Sequence, residues 1–146
     1  MRAYQFRLQR ALEWRRTQLD MEENRLRQAA AVLEAMALEA VKIELVKSRA
    51  EVAVRQSPAV DAGDLWALAA YRQRLLAELQ ALAQRRQDAE KTLAEQRRKV
   101  LEAQRRVLLL ENLDQRRRAE WSRQQDRELE ALASESFLAS WNRQSG

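Results

Sequence analysis

The apolar positions of this chain fall into two long stripes separated by one interruption. In the second half, Leu79, Leu93, Val100, Val107 and Trp121 recur at one position of a seven-residue repeat. Leu75, Leu82, Ala89, Ala103 and Leu110 recur at another. Alternating steps of four and three residues keep these side chains on one side of a helix. From Leu75 to Trp121 such a helix would extend roughly 70 Å at about 1.5 Å per residue. No small globular core covers a stripe that long, so it needs a facing helix. The first half supplies one, with Leu12, Leu19, Leu26, Leu33 and Ala40 at one position and Leu8, Ala29, Met36, Ile43 and Ala50 at the other.

The stripes are not clean. Arg15 and Glu22 interrupt the first, and Arg86, Gln96 and Asp114 fall on the second. The simpler reading of Arg15 and Glu22 is tolerance where the seam frays near a free end. The sharper one is a register lock, since a polar seam residue specifies pairing at some cost in stability. Leu108, Leu109 and Leu113 lie beside Leu110 and make a cluster wider than a two-helix seam requires. It calls for a third helix or a partner.

The repeat breaks at Arg55-Gln56-Ser57-Pro58-Ala59-Val60-Asp61-Ala62-Gly63-Asp64. Pro58 disfavours helix at Ser57, and Gly63 is the one interior glycine. Asp61 or Asp64 can accept from the free N–H groups that open the next helix. So short a turn returns the chain antiparallel. The expected fold is therefore all-α, a long two-helix antiparallel coiled-coil hairpin with unequal arms. The sequence predicts a single domain over 1–146, with helix 1 over about 4–56 and the turn over 57–63. Helix 2 is predicted over about 64–133, followed by a C-terminal segment over 134–146. After the turn, Trp66 and Tyr71 cannot both face the seam that holds Leu68 and Leu75. They either pack over the loop or form an exposed patch. At the other end, the Phe137/Trp141 pair makes one more amphipathic turn, expected to fray unless it docks.

Composition narrows the chemistry. Of the 146 residues 34% are charged and 5% aromatic, and Ala, Leu, Glu, Gln and Arg dominate, the signature of long helices. There is no cysteine and no histidine, which removes thiol nucleophiles, imidazole bases, disulfides and the usual transition-metal ligands. Two glycines cannot build a phosphate-cradling loop. Nothing in the pattern pushes two carboxylates into different environments, as acid–base work requires. Neither catalysis, metal nor cofactor is expected. The longest aliphatic run without alanine, Val107 to Leu110, is far short of a membrane span, and Met1 to Arg10 lacks the apolar core of a secretory signal. A cytoplasmic protein is expected.

The net charge of +5 is placed unevenly. Between Arg85 and Arg127 lie thirteen of the 27 basic residues and eight of the 22 acidic ones, so the remainder of the chain holds fourteen of each sign. Arg85-Arg86, Arg97-Arg98-Lys99, Arg105-Arg106 and Arg116-Arg117-Arg118 form a partly aligned basic stripe. Such a stripe can follow a phosphate backbone. The interleaved acids and the lack of aromatic residues for base stacking argue against nucleic acid. Solvated helix faces commonly look like this. Arginine forks also suit carboxylates, so an acidic protein surface is the better match.

The opening Tyr4-Gln5-Phe6-Arg7-Leu8-Gln9-Arg10-Ala11-Leu12, followed by Arg15-Arg16 and Glu22-Glu23, resembles the start of the FliJ family of flagellar export proteins. The turn with Asp64-Leu65 and Tyr71-Arg72-x-x-Leu75 is similar to that family's second block. Leu101 through Leu113, with Glu111-Asn112-Leu113, resembles its lysine-x-leucine-glutamate-x-leucine region, with the lysine missing here. Leu129-Glu130-Ala131-Leu132-Ala133 resembles its acidic closing segment, so the likeness runs nearly the full length. It implies a non-enzymatic component of a type III export apparatus, similar to the rotor stalk of rotary ATPases. The implied partners are the export ATPase ring, the cytoplasmic domain of the export gate and substrate chaperones, at the inner face of the cell membrane. By position, the gate contact would fall at Tyr71 and Leu75, although Arg74 and Glu78 stand where relatives often carry apolar residues. The stalk analogy puts the ATPase contact at Phe6, Arg7, Arg10, Arg116, Arg117 and Arg118. The rival readings are a basic coiled coil that binds nucleic acid and a structural spacer.

Overall fold

The computed structural model describes residues 2–145. It is all-helical, with two helices packed against each other as a hairpin: α1 (Gln9–Gln56) and α2 (Ala62–Ser145). The turn is built from the residues the sequence singled out. α1 stops at Gln56, two residues before Pro58, and the Ser57 N–H donates back to the Val54 carbonyl at 3.3 Å. Asp61 then caps α2. Its Oδ1 accepts from the Asp64 N–H at 2.8 Å, while Asp64 Oδ2 accepts from the Asp61 N–H at 3.4 Å. This reciprocal pair satisfies two N–H groups, one of them among those a helix start leaves free, and sets two carboxylates at its positive end.

Three expected boundaries need correction. Gly63 is not a turn glycine: it lies inside the first turn of α2 and has no positive φ. The loop is 57–61 rather than 57–63, because the two aspartates start the helix at Ala62. α1 begins at Gln9 rather than near residue 4, where the Gln9 N–H bonds the Phe6 carbonyl at 3.1 Å. The residues before it are held out of the helix by tertiary contacts described below. Finally, α2 does not stop near Ala133 but runs to Ser145, since no glycine or proline interrupts it after Gly63.

Packing contacts divide the chain, expected as one domain, into two units: Met21–Leu101, and Met1–Asp20 with Glu102–Gly146. In the Met21–Leu101 unit the partners run in opposite directions. Glu51 pairs with Arg72 at 3.1 Å, Glu39 with Arg85 at 3.7 Å, and Glu22 with Gln96. Such order is antiparallel. Leu75, Leu82 and Val100 are buried, facing half-buried Leu26, Leu33, Met36 and Ile43 on α1. The exposed ion pairs add little to stability, and apolar burial carries this unit.

The Glu22–Gln96 contact decides one open question. Gln96 is the buried polar residue of the seam, 8% exposed. Its side-chain amide donates to the Glu22 carboxylate and, at 3.0 Å, to the Glu22 backbone carbonyl. Arg25 holds the other carboxylate oxygen at 2.9 Å. Two polar interruptions, one on each stripe, therefore answer each other, and Glu22 is a register lock rather than a frayed end. Arg15 is different. It is half-buried, with its guanidinium 4.6 Å from the ring centroid of neighbouring Trp14 and Nη1 3.4 Å from Gln18 Oε1. Those partners are on its own helix, so it locks nothing across the seam.

In the second unit Leu12 is 1% exposed, and Ala103 and Val107 are buried with it. Beyond Gln125 every described residue of α2 is exposed, including Leu129, Leu132, Phe137 and Trp141. Phe137 and Trp141 stack on each other with centroids 6.5 Å apart. Among the described residues no third helix covers the leucine cluster: Leu108 and Leu109 are 54% and 70% exposed, while Leu110 and Leu113 are half-buried.

The lock makes an energetic prediction. Gln96→Leu continues the apolar repeat but leaves the Glu22 carboxylate with Arg25 alone. It should cost about 1–3 kcal/mol in urea or thermal unfolding followed by circular dichroism. The double variant Glu22→Leu/Gln96→Leu should recover most of that loss while permitting slipped pairing. An unchanged Gln96→Leu midpoint would remove the lock.

Candidate protein-binding surfaces

Tyr71 and Leu75, the residues implied for a gate contact, have different surroundings. Leu75 is 5% exposed and holds the seam, so its side chain offers almost nothing to a partner. Tyr71 is half-buried. It lines an open hollow of about 550 Å³ with Val54, Val60 and Leu68, and the Arg74 guanidinium sits 5.9 Å from its ring centroid. The exposed apolar residues at this end are others. Trp66 is 78% exposed, with exposed Leu65 beside it and exposed Leu76 almost three turns further along α2. Trp66 therefore does not pack over the loop. Of the two aromatic residues only Tyr71 turns inward, and the alternative of an exposed patch holds for Trp66.

The residues implied for an ATPase contact gather more closely. In the unit of Met1–Asp20 with Glu102–Gly146, the segment before α1 lies along α2. The Tyr4 hydroxyl is the anchor, at 2.6 Å from Asp114 Oδ1 and 3.1 Å from the Asp114 carbonyl oxygen. Its ring tilts against Trp121 at 6.0 Å, and the Arg118 guanidinium lies 4.7 Å from the ring centroid. Arg118 also approaches the Asp114 carboxylate at 3.9 Å. One hollow of about 630 Å³ brings together Phe6, Arg7, Arg10 and Arg118. Another, of about 670 Å³, brings Phe6 and Arg7 to Arg117, Leu113 and Trp121. Arg116 lines neither hollow.

Sequence reasoning treated Asp114 as a flaw in the seam and gave Tyr4 and Trp121 no role in a site. The structure makes the three the frame of this surface. Partial desolvation lifts the Tyr4 phenol above its ordinary value of 10.0, and the hydrogen bond to Asp114 and that carboxylate's charge add to the lift. Arg118 and Arg117 act in the opposite direction. At neutral pH the hydroxyl is therefore a donor, and Asp114 is its acceptor.

Comparison with family models, with curated proteins and with solved structures returns no match. Among the described residues no group of acidic side chains is placed to hold a metal ion. No described helix is long and apolar enough to cross a membrane. The basic clusters of α2 are exposed throughout: Arg97, Arg98, Lys99, Arg105, Arg106, Arg116 and Arg117 all face solvent. Such surfaces suit carboxylate-rich partners through bidentate contacts.

The Tyr4 anchor has a pH signature. Its folded pKa exceeds the unfolded one, so its contribution is whole below pH 10 and is lost as pH rises through the raised value. With Trp14, Trp66 and Trp141 replaced by Phe, the fluorescence of the remaining Trp121 should show an alkaline transition above pH 10 that the same chain carrying Tyr4→Phe lacks. Identical profiles for the two chains would show that the phenol does not hold this segment.

Proposed function

We propose that the chain is a non-enzymatic component of the flagellar type III protein export apparatus, a coiled-coil stalk that links the export ATPase ring to the export gate and escorts substrate chaperones. The observation that carries the reading is the ordered opening segment. The residues that resemble the FliJ start, Tyr4 through Leu12, are not only a sequence likeness. Tyr4 is tied to Asp114 and Trp121, and Phe6, Arg7, Arg10 and Arg118 gather in one hollow. A stalk that engages a ring of other subunits needs a preformed, charged end of this kind. The hairpin fold supports the same reading. In this proposal the protein reaches the inner face of the cell membrane through its partners.

The gate contact, by the same proposal, centres on Tyr71 with exposed Trp66 and Leu76 nearby, while buried Leu75 supports the helix beneath. Co-purification with the export ATPase and with the gate's cytoplasmic domain tests the two ends separately. Arg7→Glu/Arg10→Glu should weaken ATPase capture at least about tenfold and leave gate binding unchanged. Trp66→Ala/Tyr71→Ala should do the reverse. If neither partner is captured, and duplex DNA instead binds with steep salt dependence, the chain is a nucleic-acid-binding coiled coil. Capture of neither partner together with no DNA binding leaves the spacer reading.

A further inference from the structure

The side of α1 that faces away from α2 carries a second apolar stripe that the hairpin does not use. Leu38, Val41, Leu45 and Val52 are 62%, 62%, 49% and 45% exposed, all within the Met21–Leu101 unit. With Ser48 they advance by three and four residues in turn, the phase of a helix-pairing seam. Leu38, Leu45 and Val52 each lie two residues after the half-buried Met36, Ile43 and Ala50. Two residues turn a helix through about 200°, so the two stripes lie on opposite sides of α1. Single exposed leucines are ordinary; four in seam phase form a face. Glu34 and Arg55, the next residues in that phase, bound it at either end.

The charges beside this stripe say what covers it. With Leu38, Leu45 and Val52 at the first core position of the heptad, Glu44 and Glu51 flank one edge, and Lys42 and Arg49 flank the other. Lys42, Glu44 and Arg49 are exposed, and none enters an ion pair among the described residues. By contrast Glu39 and Glu51 bond across to α2. When two copies of such a stripe pair in parallel, the acidic edge of each meets the basic edge of the other. Glu44 of one copy then faces Arg49 of the other, twice by the two-fold symmetry. Antiparallel pairing would set glutamates against glutamates and cations against cations. Self-complementarity thus exists in one orientation alone.

We propose that the outer face of α1 over 38–52 is the docking site for a second copy of this chain, in a parallel, in-register helix pair. The contact spans about 21 Å of helix at 1.5 Å per residue, two heptads with Ser48 in one core position. That is at the small end of specific interfaces, so the dimer is reversible and forms as concentration rises. It leaves the α1–α2 seam intact, because the two stripes share no residue.

Sedimentation equilibrium of the full chain from low to high micromolar concentration tests this, with helicity checked for each variant. The native chain should show a monomer–dimer equilibrium. Leu38→Gln/Leu45→Gln should weaken it at least about tenfold, which at exposed positions leaves the hairpin folded. Glu44→Lys and Arg49→Glu should each weaken association, and the double exchange Glu44→Lys/Arg49→Glu should restore it. The chain has no cysteine, so orientation is open to a direct test. Ser48→Cys should give a disulfide-linked dimer on mild oxidation, because the same position meets itself across a parallel pair, while Ser122→Cys should not. A native chain monomeric throughout would overturn the proposal. So would a dimer that survives Leu38→Gln/Leu45→Gln, a single charge exchange that strengthens it, or a Ser48→Cys chain that fails to link.

Discussion

A helix with an apolar stripe cannot cover that stripe with its own residues, and the architecture follows from this constraint. α1 and α2 each carry such a stripe, and each is the other's cover. A two-helix seam buries few side chains: among the described residues the buried apolar set is Leu12, Leu75, Leu82, Val100, Ala103 and Val107. Most other apolar side chains of the seam are half-covered, so alignment matters more here than in a thick globular core. Sliding one helix by a turn would exchange one leucine for another at little cost. The Glu22–Gln96 contact makes such slips unfavourable, because a slipped Gln96 loses both acceptors and a slipped Glu22 loses its amide donor.

What the seam leaves outside is a set of open surfaces, since the hollows among the described residues are shallow and face solvent. Arginines of α2, the Trp66 region beside the turn, the Tyr4–Trp121 frame and the outer stripe of α1 are four displays of different chemistry. The Tyr4 frame shows how a short non-helical segment is made rigid without a core. One phenol bonds two oxygens of Asp114, one indole supports its ring, and one guanidinium covers its face. Phe6 and Arg7 of this segment line one hollow with Arg10 of α1 and Arg118 of α2.

The polar residues on the seam teach a general point about reading such chains. Three of them lie on the stripe of α2, and each found a different resolution. Gln96 bonded across to Glu22, Asp114 accepted from a tyrosine outside the helix, and Arg86 turned to solvent and paired with Glu90 on its own helix at 3.6 Å. A heptad pattern alone ranks them equally as imperfections. Only the identity of the facing side chain distinguishes a lock, an anchor and a bystander.

The sequence by itself determined the two-helix hairpin and its reversal near Pro58, because periodicity and backbone stereochemistry are local properties written in neighbouring residues. It also marked Asp61 or Asp64 as the cap, since a cap bonds within three residues of itself, and the structure uses both. Where α1 begins, which polar seam residue has a partner, and which implied contact residues remain available were decided by tertiary structure. Tyr4 and Asp114 are 110 residues apart, Glu22 and Gln96 74, and Leu75 is hidden by a helix that lies earlier in the chain. No window along the sequence contains both members of those pairs, and the physical effect of each residue depends on the other.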